Sequence, residues 1–241
     1  MARLRPDVED PAGAITAGAV MVDGRIVSNP AALVRADAAV RVIRRRRLRG
    51  EIKLSHALRE LGVDASGRVA MDVGAAAGGF TSALLVAGAV RVYAVDTGHG
   101  QLRGWLRADP RVVNLEGRNL GQLDRNAVSE VVQLVTVDLS YLSLAGAIPE
   151  LDRVRLAPEA DLVVLVKPTF ELRRATLAMT PEDVAEGERQ AGLAMERCGW
   201  AIVGRSASPI TGSRGAVEVF LHGRRRGAGA GPAGAGGAPS R

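Results

Sequence analysis

From Val69 onward, short apolar runs recur along the chain, separated by stretches whose apolar residues follow helical spacing. The runs are VAMDV at 69–73, VRVYAVD at 90–96, VVNL at 112–115, VVQLVTVD at 131–138, DLVVLV at 161–166, WAIVGRSAS at 200–208 and AVEVFLH at 216–222. Their length and their β-branched content predict buried strands. Strand followed by helix, repeated, predicts an α/β fold with a doubly wound, mostly parallel sheet over residues 51–223. The last two runs are joined only by SPITGSRGA. So short a loop allows an antiparallel hairpin at the sheet edge, since a parallel connection needs a longer crossover. Before them, PEDVAEGERQAGLAMERCG predicts a helix with Thr180 as its N-cap and Pro181 in its first turn.

The N-terminal part reads differently. Within residues 1–43, AGAVMVDGRIVSNPAALVRADAAVRV combines a helix end, a tight turn at Asp23-Gly24 and short β-branched strands, which predicts a small α/β module. Residues 44–50 are expected to form a basic linker, and RRRGAGAGPAGAGGAPSR at 224–241 a disordered Arg/Gly/Ala-rich tail. No internal repeat is visible. At 241 residues and 47% apolar content, the chain has room for one sizeable ordered α/β domain plus an appendage. The formal net charge of +6 understates its basic clusters at Arg41, Arg44 to Arg47, Arg49 and Arg224 to Arg226. Such clusters suit a polyanion such as RNA. The single cysteine, Cys198, excludes an internal disulfide or a multi-thiolate zinc site and is expected to be a small core residue on a helix. No stretch reaches the ~20 apolar residues of a membrane span, and MARLRPDVEDPAG lacks a signal peptide's apolar centre, so a cytoplasmic protein is expected.

Of the 32 basic side chains only Lys53 and Lys167 are lysines. Arginine stays protonated in proteins, whereas a lysine can take part in proton transfer, so these two positions are candidate chemistry. A second signal is MDVGAAAGGFTSALL at 71–85. A strand is expected to end near Asp72; Gly74, Gly78 and Gly79 let the backbone turn and approach a ligand; a helix opens at Phe80 and Thr81 with free amides. The spacing G-x-x-x-G-G departs from the G-x-G-x-x-G of dinucleotide folds, and an acid beside the loop suits a cationic or amino-bearing ligand. Asp96 closes the next strand, 24 positions after Asp72. A carboxylate there can accept hydrogen bonds from both hydroxyls of a ribose.

With these residues in place, the sequence from Val20 to His222 resembles the TlyA-type members of the FtsJ-like ribose 2′-O-methyltransferases. The matching blocks are RGEIKL at 49–54, MDVGAAAGGFT at 71–81, AVDTGHGQL at 94–102, VDLSYLSL at 137–144, LVKPTFE at 165–171 and GAVEVFL at 215–221. The resemblance implies a Rossmann-like domain that uses S-adenosylmethionine to methylate ribosomal RNA, preceded by an S4-like RNA-binding module. It implies that Lys53, Asp138, Lys167 and Glu218 form the family's catalytic tetrad. It further implies that Asp72, Gly74, Gly78, Gly79, Phe80, Thr81, Asp96, Asn119 and Asp138 bind the cofactor, Asn119 at the adenine edge. Three departures accompany it. The S4-like module appears only as its second half, Thr169 stands where glutamine is usual, and LRRATLAMT replaces a glycine-rich loop, so the lid over the substrate is expected to differ.

The chemistry fits those residue types. A ribose hydroxyl is a poor nucleophile, so it must be aligned with the sulfonium methyl and relieved of its proton. Lys167 is expected to orient and deprotonate it, with Lys53 tuning Lys167 and with Asp138 and Glu218 holding the geometry. No metal is needed; His56, His99 and His222 lack ligand spacing and are expected to be surface or packing residues. The alternative is a non-catalytic RNA-binding protein retaining the fold, which would not require all four tetrad positions. A nicotinamide-dependent oxidoreductase predicts the other glycine spacing, and a membrane-lytic activity lacks an amphipathic or spanning segment. The expected partner is ribosomal RNA or a ribosomal subunit rather than a membrane; the sequence leaves the oligomeric state open.

Overall fold

The computed structural model describes residues 10–16, 18–42, 47–172, 179–212 and 215–225. Arg44 to Arg46, the altered segment at 173–178 and the tail from residue 226 lie outside the described residues. The chain divides into two compact units, Met1–Arg47 and Leu48–Arg241.

The first unit carries a helical turn, α1 (Pro11–Thr16), and strands β1 (Val20–Val22), β2 (Arg25–Ile26) and β3 (Val40–Val42), joined antiparallel in the order β2-β1-β3. Asp23 (φ 47°) and Gly24 (φ 80°) both occupy the left-handed region. Two such residues in succession give a turn whose twist matches that of a hairpin, returning β2 onto β1. Asp23 also fixes the far end of the loop, since its carboxylate accepts from the Ala39 amide at 2.8 Å.

In the second unit the helices α2 (Arg49–Glu60), α3 (Gly79–Val86), α4 (Gly104–Arg107), α5 (Leu144–Ala147), α6 (Pro168–Glu171) and α7 (Pro181–Arg197) flank a sheet of seven strands. The strands are β4 (Val69–Val73), β5 (Arg91–Asp96), β6 (Val112–Glu116), β7 (Val132–Val137), β8 (Leu156–Val166), β9 (Trp200–Ala207) and β10 (Val219–Arg225), in the order β6-β5-β4-β7-β8-β10-β9. All neighbours run parallel except β10, which is antiparallel to both β8 and β9. Period-two alternation along β8 explains the three layers. Leu162, Val164 and Val166 enter the core under α5 and α7, while Val163 and Leu165 enter the core under α2 and α3. α7 starts where its cap dictates: Thr180 Oγ1 accepts from the Asp183 amide at 3.2 Å, and the Asp183 carboxylate accepts from the Thr180 amide at 3.1 Å.

Several boundaries differ from the sequence expectation. Arg49 and Gly50, expected in a linker, form the first turn of α2. Arg224 and Arg225, expected in the tail, belong to β10. The reason is the buried Asp161, which collects Arg224 Nε at 3.3 Å, Arg68 Nη1 at 2.6 Å and His222 Nε2 at 2.7 Å. Burial alone would raise the Asp161 carboxyl, but these three donors outweigh it and hold the group well below the usual carboxylate range. β8 begins at Leu156, ahead of DLVVLV, and Pro158 is accommodated because the pairing with β7 shifts between Val132 and Leu134. β10 begins only at Val219: the Ser208 amide still donates to the Glu218 carbonyl at 3.1 Å in the register of the β9 pairing, but Ala216 accepts from the Gly212 amide at 2.7 Å and belongs to the loop. Cys198 is the half-buried C-cap of α7 rather than a core position within it.

Candidate active site

The strand order reverses between β4 and β7: β5 and β6 extend to one side, β8 to the other. Loops leaving the carboxyl ends of β4 and β7 diverge there and open a crevice, the usual ligand site of such sheets. The glycine loop follows β4 and the Asp138 segment follows β7. The two touch, for a Cβ on Gly74 (φ 86°) would overlap the Asp138 carbonyl.

The other loop glycines answer to packing. A Cβ on Gly78 (φ 90°) would overlap the Leu106 side chain and approach Leu102 Cδ1 to 2.7 Å. One on Gly79 would come within 2.8 Å of the Gly50 Cα, so α2 and α3 begin in backbone contact. Phe80 is buried against Phe220, with ring centres 6.0 Å apart. Asp72 lies wholly buried beneath the loop, where its carboxylate accepts from Thr81 Oγ1 at 2.6 Å and Thr136 Oγ1 at 3.2 Å. Burial, helped by the charge of Asp138 and opposed by the two hydroxyls, raises the Asp72 carboxyl to about 7. Asp72, Phe80 and Thr81 therefore support the loop from inside.

Asp96 stands at the mouth. Its carboxylate accepts from the Ala76 amide at 2.8 Å and the Gly98 amide at 2.7 Å, which leaves further lone pairs on a half-buried group. Burial, and then the Asp96 charge, push the Tyr141 phenol up against the opposing effect of Thr97. Asn119 is exposed at the start of a short 3-10 turn, Leu120–Gln122.

The four tetrad positions come from different elements and meet as two ion pairs. Lys53, buried on the first half of α2, pairs with the buried Glu218. Lys167 Nζ lies 2.5 Å from Asp138 Oδ1 and donates to Ser140 Oγ at 2.7 Å. At that distance Asp138 Oδ1 is engaged in a close ion pair with Lys167. Register explains the convergence: Val219 faces Val166, which carries Glu218 opposite Lys167, while β7 runs beside β8 up to Asp138. Each ammonium thus has its own carboxylate.

Three contributors were not singled out from the sequence. Ser140 lies in VDLSYLSL but carries no distinctive residue type. Glu116, register partner of Asp96, accepts from the Gln101 amide at 2.6 Å and the Leu102 amide at 2.8 Å, fixing the segment after Asp96. The Asn114 side chain and those amides pull its carboxyl down to about 2. Glu51, buried on α2, accepts from Ser82 Oγ of α3 at 2.9 Å. Of these, only Glu116 had a signal, as an acid closing a strand.

The model of the FtsJ-like methyltransferase family matches residues 46–225. The 16S/23S rRNA (cytidine-2′-O)-methyltransferase TlyA of Mycobacterium tuberculosis is 39% identical over 216 residues, covering 86% of this chain and 80% of that protein. Among solved structures, a protein from Lactococcus lactis named as a candidate hemolysin is 30% identical with a TM-score of 0.70, covering 75% of this chain and 88% of that one. The magnesium protoporphyrin IX methyltransferase of Synechocystis, solved with bound S-adenosylhomocysteine, shares the fold at 17% identity with a TM-score of 0.52, covering 73% of this chain and 83% of that one.

Proposed function

The chain belongs to the FtsJ-like methyltransferase family, and on that premise we propose that it methylates the 2′-hydroxyl of a ribose in ribosomal RNA, with S-adenosylmethionine as methyl donor. The observation that carries the reading is the meeting of Lys53, Asp138, Lys167 and Glu218 at the crevice where the strand order reverses. The cofactor supplies an electrophilic methyl on a sulfonium. The residues present fit it. Asp96 has lone pairs left for the ribose diol, and the glycine loop lets the β4 and β7 loops approach closely beside it.

Lys167 orients the substrate hydroxyl and, as the neutral amine left once its ammonium has released a proton to solvent, takes the hydroxyl proton as the oxygen attacks. Asp138 and Ser140 hold the amine in place, and the Lys53–Glu218 pair closes the opposite wall. Positioning and proton removal together account for much of the acceleration such a step requires. Phosphate contact falls to the basic run that includes the exposed Arg41, while Arg49 donates to the Thr211 carbonyl at 2.6 Å. A ribosomal substrate also puts the reaction in the cytoplasm.

The test is calorimetry with S-adenosylmethionine, S-adenosylhomocysteine and NAD, followed by transfer of labelled methyl to unmodified ribosomal RNA and mapping of the product. Binding of the first two, with label on a ribose 2′-oxygen, is expected. Tight cofactor binding without transfer to any ribosomal substrate would overturn catalysis and leave an RNA-binding protein.

A further inference from the structure

The chain holds only seven aromatic residues, two Trp, two Tyr and three Phe. Phe80, Tyr93, Trp200 and Phe220 are buried, and Trp105 packs half-buried against the core. The two large exposed rings, Tyr141 (57% exposed) and Phe170 (42%), both lie just past strand ends that bear tetrad residues. The Tyr141 phenol feels the charge of Asp96 and so lies toward the cofactor end. Phe170 has no such partner in the described site. Its ring centre lies 5.9 Å from Lys167 Nζ, near the ~6 Å limit of a cation–π contact, so that interaction alone gives little reason for an exposed ring.

The backbone that carries the ring is anchored on both sides. The ring rides on α6, whose first residue Pro168 packs so tightly under α7 that a Cβ on Gly187 would come within 2.9 Å of it. The last residue of α6, Glu171, accepts from the Leu144 amide at 3.2 and 3.3 Å. A fixed aromatic face is what a recognition site requires. Distance decides what it faces. A hydroxyl hydrogen-bonded to Lys167 lies ~3 Å from Nζ. The base on that same ribose can then reach the ~4.5–7 Å centre separations over which aromatic rings stack.

We propose that Phe170 is the stacking face for the base of the nucleotide whose ribose is methylated. This rests on the RNA methyltransferase reading. Stacking on an aromatic ring tolerates any base, so Phe170 holds an unpaired nucleotide at the crevice without setting its identity. It also implies that the target leaves its helix before reaction.

The test uses the full chain and an RNA fragment containing the nucleotide methylated by the wild-type protein, prepared with its normal base and as an abasic residue. Phe170→Ala should lower kcat/KM on normal RNA by roughly tenfold to a hundredfold, the range for removing one base–aromatic stack, with cofactor affinity unchanged. Phe170→Leu should resemble it, and Phe170→Trp should restore activity. The abasic RNA should react more slowly with wild-type protein, and Phe170→Ala should add no further loss on it. Equal losses on normal and abasic RNA, unchanged kcat/KM, or a parallel loss of cofactor binding would overturn the platform while leaving the activity intact. Absence of RNA methylation by wild-type protein would overturn the activity itself, and the platform with it.

Discussion

Replacing Lys167 by arginine separates charge from proton transfer. The structure gives Lys167 an ion pair with Asp138 at 2.5 Å and a hydrogen bond to Ser140 at 2.7 Å, with its side chain 14% exposed. A guanidinium keeps a carboxylate partner at least as well, so the fold and the cofactor site should survive. It does not take a proton from a ribose hydroxyl. If charge alone mattered, methyl transfer would change little. If the amine accepts the proton, the loss should be at least roughly 10²-fold, the lower end for a general acid–base group, or about 2.7 kcal/mol in the barrier. The assay is single-turnover transfer of labelled methyl to unmodified ribosomal RNA at saturating cofactor, with affinity measured separately by calorimetry. Because a misplacement of ~1 Å can by itself slow a reaction by a similar factor, Lys167→Ala supplies the control. Added small primary amines should partly restore its rate, and guanidinium should not. A near-wild-type rate for Lys167→Arg, or equal rescue by both cations, would refute proton transfer to Lys167.

Other expectations follow from the same geometry. Asp96→Ala should weaken S-adenosylmethionine binding by roughly 1–3 kcal/mol by calorimetry, the range for hydrogen bonds to a charged group; unchanged affinity in folded protein would remove the ribose assignment. Gly78→Val should lower the unfolding midpoint, because even its Cβ would overlap Leu106 and its φ of 90° disfavours a β-branched residue; an unchanged midpoint with lost binding would instead place that side chain in ligand space. Asp72, raised by burial to about 7 from an unfolded value near 3.8, retains its proton longer in the folded state. Its contribution therefore falls as pH rises from about 4 to 7, at up to ~1.4 kcal/mol per pH unit, and denaturant titrations of Asp72→Asn should be flatter across that window than wild type; parallel curves would contradict the raised value.

The strands and the α7 cap were legible because each rests on local signals: β-branched runs, and Thr180 followed by Pro181. The insertion of β10 between β8 and β9 was not, since it depends on which edge the hairpin meets. The short SPITGSRGA loop indicated only that the last pair runs antiparallel. The loop glycines were visible as a cluster, but their individual contacts with Asp138, Leu106 and Gly50 are tertiary. A run of arginines reads as a solvated tail until Asp161 is known to lie buried beside Arg224. Lys53 and Lys167 stood out by composition. Which carboxylate each would meet was set by strand register, and Ser140, an ordinary serine, gave no cue.

The interior position of β10 has a consequence for synthesis. Its residues come last among the strands, yet they fill an interior row of the sheet and follow directly on Glu218. A nascent polypeptide that has emerged only as far as β9 presents unpaired strand edges and has nothing to neutralise Lys53. The glycine loop and Asp96 can already be in place at that stage, but the reaction centre is not. The reaction centre is thus complete only once residues 218–225 have joined the sheet.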